Sequence, residues 1–130
     1  MTLAAPRLCA ALLCVAVLGA CARDIAGNGV GLTWALQPAP PTVGAAVLAL
    51  TLADASGAPM GGATVRLEGH MSHAGMAPVI ASGRERQPGH YDVPFSFTMA
   101  GDWILLVTIV QRDGTRTEHR LDVTGVGPAS

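Results

Sequence analysis

An all-β sandwich is the fold class this sequence predicts, on three observations. Apolar and polar residues alternate with period two in short runs, the spacing that sends successive side chains to opposite faces of a strand. Gly, Pro and Asp break those runs at short intervals, as chains built of strands and turns require. No segment after position 21 carries a helical period of apolar residues.

The first strand is expected over residues 30–36, closed by the run Pro38-Ala39-Pro40-Pro41. The second covers 45–52, with Leu48, Leu50 and Leu52 on one face and Val47, Ala49 and Thr51 on the other, and residues 54–59 (DASGAP) then turn the chain. Residues 63–68 place Val65 and Leu67 inward and Thr64, Arg66 and Glu68 outward. A weak strand lies around 78–82, and 83–89 (GRERQPG) reads as a polar turn. Over 90–97, Tyr91, Val93, Phe95 and Phe97 share a face. Pro94 has no N–H to give a ladder, so this strand has an edge or a bulge near that point. Residues 103–110 are the most apolar, with Trp103, Leu105, Val107 and Ile109 on one side, and are expected to be central and largely buried. Asp113-Gly114 favours a type I′ hairpin turn, after which 117–123 closes the sheet with Leu121 and Val123 inward. About seven strands in about 100 residues match an immunoglobulin-like β-sandwich, here without the Cys-Trp-Cys hallmark.

Ahead of this domain, Arg7 is the only charge before position 23, and residues 8–18 (LCAALLCVAVL) are an unbroken apolar run. That run covers only about half of a bilayer's ~30 Å core, so it reads as a secretory signal peptide over residues 1–20. It ends Leu18-Gly19-Ala20-Cys21, which resembles the lipobox of bacterial lipoproteins, in which the Cys sulfur is acylated and becomes the first mature residue. By that resemblance Cys21 is the lipidation site and the protein faces the periplasm from a membrane. An ordinary signal peptide cleaved after Ala20 or Ala22, without lipid, is the other reading. Residues 21–31 then form the anchor and a short tether, 32–124 the domain and 125–130 a frayed tail.

Cys9 and Cys14 leave with the signal peptide, so the folded part has no thiol to spare and no disulfide, and Cys-based zinc or iron–sulfur sites are excluded. The chain has eight Arg and no Lys; without Arg7 the balance against nine acidic residues is 7 − 9 = −2. No basic stripe is present, and nucleic acid is not expected as a partner.

Chemistry concentrates in His70-Met71-Ser72-His73-Ala74-Gly75-Met76, which holds two of the four His and two of the five Met. Thioether sulfur is a soft ligand and imidazole a borderline one, so the mixture suits copper, Cu(I) above all, better than zinc, calcium or magnesium. The candidate metal set is His70, Met71, His73 and Met76. Met99 can join them if the connection before Trp103 lies at the same end of the sandwich; otherwise Met99 packs beside Trp103 as a gap-filler. In the competing reading, Met71 and Met76 cover the rim of the sandwich and both imidazoles are solvated on a loop. His90 and His119 read as ordinary exposed or half-buried histidines. No Ser/His/Asp or Cys/His constellation and no carboxylate pair beside the loop suggest catalysis, so an enzyme is not expected.

The order of segments resembles the YtkA-like domain, a family grouped with FixH-like proteins. The resemblance rests on Pro41-Thr42-Val43-Gly44, Asp54 to Pro59, Ala63-Thr64-Val65, Pro88-Gly89-His90-Tyr91 and Phe97-Thr98-Met99-Ala100-Gly101-Asp102-Trp103, over residues 32–110. It implies a small exported or membrane-attached β-sandwich of a kind often linked to copper handling. The family's usual loop is closer to Met-x-x-Met-Gly-His; here the residue types persist in another order. The sequence thus points to a lipid-anchored protein that buffers copper or passes it to a copper-accepting partner. The alternative is a metal-free interaction module that assists an envelope or membrane complex.

Overall fold

The structure, a computed structural model, describes residues 22–25, 29–73 and 75–130. Cys21 and the segment before it lie outside the described residues, as does Ala74. Among the described residues nine strands run in chain order: β1 (Ala22–Ile25), β2 (Gly31–Gln37), β3 (Gly44–Ala53), β4 (Thr64–Met71), β5 (Val79–Ser82), β6 (Arg84–Gln87), β7 (His90–Phe97), β8 (Gly101–Val110) and β9 (Arg116–Val126). They form two antiparallel sheets, β1-β2-β3-β7-β6 and β5-β4-β8-β9. No helix among the described residues is long and apolar enough to cross a membrane.

The core is the sum of the alternating inner faces. Leu48, Leu50 and Leu52 of β3 and Tyr91, Val93, Phe95 and Phe97 of β7 oppose Val65 and Leu67 of β4, Trp103, Leu105, Val107 and Ile109 of β8 and Leu121 and Val123 of β9. Each fully buried aliphatic side chain contributes about 1.5–3 kcal/mol relative to exposure. Phe95, Phe97 and Trp103 make a chain of edge-to-face contacts, with centroids 4.8 and 5.3 Å apart. As expected, β8 is central, paired with β4 on one side and β9 on the other. Pro94 lies past the end of the β6–β7 pairing, where the missing N–H is tolerated.

The sheets exchange chain between β5 and β6. Gly83 donates its N–H to the Val65 carbonyl at 2.9 Å, and a Cβ there would stand 2.8 Å from that of Val65. Only a residue without a side chain lets the corner come this close.

Several expectations are corrected. The segment 83–89 contains β6, whose four residues are all exposed; the strand is held by backbone pairing to β7, so no apolar alternation marks it. Residues 22–25, expected in a tether, form β1 against β2, with Ala22 opposite Trp34. Order continues past 125 as well: Val126 is buried, and Gly127 donates to the Pro41 carbonyl and accepts from the Val43 N–H. The hairpin after β8 is not type I′, because among the described residues only Gly has positive φ. Gly114 N–H bonds the Gln111 carbonyl and Gln111 N–H bonds Thr115, with Gly114 at φ 86°, which is a type I turn closed by a Gly bulge. His119 is 2 % exposed instead of exposed or half-buried, since it shares the inward parity of Thr117, Leu121 and Val123.

Candidate functional site

The candidate residues meet where β4 leaves the sandwich and β8 enters it. Along β4, Val65, Leu67 and Gly69 are buried while Arg66, Glu68 and His70 take the opposite parity, toward the outer face. Met71 returns to the inner side and packs against the rim of the core. Adjacent residues of a strand face opposite ways, so His70 and Met71 flank the sheet from two sides.

The register places His70 opposite Ile104 and Met71 opposite Trp103. Ser72 extends the pairing beyond the strand, its N–H donating to the Asp102 carbonyl at 3.3 Å. The connection carrying Met99 is therefore at the same end as the His/Met loop, which meets the condition set from sequence. Gly101, at φ 125°, is in a conformation that favours Gly, and a Cβ on it would lie 3.2 Å from the Met71 terminal methyl. The Trp103 indole N–H donates to the Met99 carbonyl at 2.9 Å and fixes the backbone there. Met99 is 46 % exposed and Met76 44 % exposed.

His73 and Met76 are exposed on the loop that joins β4 to β5. The structure thus places Met71, His73, Met76 and Met99 at one end of the sandwich, its rim, and sets His70 on the outer face of β4. Among the described residues no group of three or more His, Cys, Asp and Glu could hold a metal ion.

Asp102 was not singled out from sequence. Its carbonyl receives Ser72, and its carboxylate accepts the Gly125 N–H at 2.8 Å, where β9 bulges against β8. One residue ties the exit of β4 to the end of β9. Its signal, an Asp beside the Gly of a strand start, is legible only once the pairing is known.

With the geometry described, comparison with known families matches residues 30–108 to the YtkA-like family. The chain belongs to the YtkA-like family. The match takes in β2 to most of β8, including the His/Met loop and the Met99 connection. Two solved structures share the fold of this YtkA-like domain. One is a DUF4426 family protein from Pseudomonas aeruginosa PAO1, with TM-score 0.62, 9% identity, and coverage of 84% of this chain and 99% of that one. The other is the PmoD soluble domain from Methylocystis sp. ATCC 49242 (Rockwell), with TM-score 0.52, 15% identity, and coverage of 83% and 98%. No curated protein matches the chain.

Proposed function

We propose that this YtkA-like protein is exported, lipid-anchored through Cys21 and periplasm-facing, and that it binds copper at the rim carrying Met71, His73, Met76 and Met99. Copper is its cargo, buffered or passed to a copper-accepting envelope partner. The observation that carries this reading is the pairing of Ser72 with Asp102, which brings the Met99 connection to the end of the sandwich where the His/Met loop lies. Two thioethers left exposed at that rim are donors a soft cation can reach, and solvent-facing Met gains nothing from burial. His70, directed to the outer face, is the least favourably placed member of the set.

The test is a Cu(I) competition titration of residues 22–130 under reducing conditions with a chelator present throughout. One-to-one binding tighter than micromolar is expected. Replacing Met71 and Met76 together by Leu keeps apolar volume and should abolish it, whereas His70→Ala should cost less than His73→Ala. If the double variant binds Cu(I) like the wild type, the rim is not the site. The exposed side chains of Met76, Met99 and Ile80 favour the metal-free interaction reading in that event.

A further inference from the structure

A groove of about 360 Å³ opens between β2 and β9, lined by Trp34, Leu36, Ala39, Pro41, Val123 and Thr124. It lies on the side of the sandwich where β1 is the outermost strand. We infer that this side, with Trp34 and Leu36 at its centre, is seated in the headgroup layer of the bilayer that holds the lipid on Cys21. The inference rests on the lipid attachment proposed above.

The argument is one of reach. Ala22 already belongs to β1 and lies opposite Trp34. Consecutive Cα atoms are about 3.8 Å apart and antiparallel partners about 4.5–5.5 Å, so a lipid carried one residue before Ala22 is tethered to the chain by a link of about 10 Å from the Trp34 backbone. The headgroup zone is only about 5–8 Å deep on each side of the ~30 Å hydrocarbon core. An acylated sulfur at that boundary therefore draws the β1–β2 edge into the headgroups. Trp34 is half-buried, with an apolar body and a polar N–H, the amphipathic character that places Trp at membrane interfaces. Among the described residues that line the groove, the charged one is Asp122, which is paired with Arg120 at 3.0 Å. Trp34 and Trp103 are the only two Trp, and Trp103 is 2 % exposed in the core, so they form an internal pair of probes.

The experiment uses the full chain, acylated in cells, purified and reconstituted in phosphatidylcholine vesicles with or without bromine near the headgroup end of one acyl chain. Brominated lipid is expected to quench at least half of the Trp34 emission, defined as the part that Trp34→Phe removes, and to leave Trp103 unchanged. A Gly-Ser linker of about ten residues inserted between Cys21 and Ala22 should relieve most of that quenching, because it allows the domain to leave the surface. Equal Trp34 emission in both vesicles, with acylation verified by mass, overturns the seating while lipid attachment stands. A mature chain with no acyl mass overturns the attachment and the seating with it. Quenching that survives the linker overturns the argument from reach.

Discussion

At Gly101 the absence of one methyl group decides how the rim is built. Its φ of 125° and the Met71 methyl carbon 3.2 Å from where a Cβ would stand leave no comfortable place for a side chain. Gly101→Ala should cost about 1–3 kcal/mol in urea unfolding and should weaken Cu(I) binding as well, because Met71 has to move. Unchanged stability would show that the strand start can relax. Glu85, at the other end of the sandwich, gives a pH prediction. The Tyr91 hydroxyl and the Gly62 N–H at 2.6 Å hold its carboxyl below the usual value of 4.5. The hydroxyl has one proton, and the Met60 carbonyl receives it at 2.9 Å, so the Gly62 bond is the firmer of the two. A lowered folded-state pKa contributes stability that is complete above the unfolded value and is lost as pH falls through the folded one. Glu85→Gln should therefore flatten the loss of stability below about pH 4.5, read as urea midpoints across a pH series. A Glu85→Gln chain as acid-sensitive as the wild type would count against that bond.

Among the elements, those with two-sided character were legible. β7 matches the residues expected for it, and the cores of β3 and β8 lie where alternation places them, because one face of each must be buried and the period reports it. β6 was not legible: Arg84 to Gln87 are all exposed and are a strand only through their backbone partner. β1 escaped for a related reason, since small and charged residues before a Gly look alike in a tether and in an edge strand. The His/Met loop was half legible. Composition marked it, but the same alternation that located β4 also turns His70 away from Met71, and that consequence needs the strand to continue through Met71. His119 carried its own signal, two positions from inward Leu121, and was misread. The corner between β5 and β6 can be tested directly. Gly83→Ala should destabilise by about 1–3 kcal/mol through overpacking against Val65. Val65→Gly, which removes the opposing Cβ, should cost stability alone and much less on the Gly83→Ala background, and strict additivity in that double-mutant cycle would rule out the contact as the cause.

For the whole molecule, the proposed site joins two kinds of donor that differ in what the unfolded chain retains. His73 and Met76 are three residues apart in sequence, and an unfolded chain or a short peptide keeps them close. Met99 comes to the same rim only when β4 is paired with β8. A ligand that binds the folded state alone stabilises it by RT ln(1 + [L]/Kd), about 2.7 kcal/mol at a hundredfold excess over Kd, and any binding to the unfolded chain reduces that gain. If Met99 is a ligand, Cu(I) should raise the unfolding midpoint of residues 22–130 by close to the full amount, and a peptide of residues 69–77 should bind far more weakly than the domain. Met99→Leu should then bring the affinity of the domain down toward that of the peptide. If the peptide binds as tightly as the domain and Cu(I) leaves the midpoint where it was, the metal is held by the loop sequence alone and the fold contributes only its display.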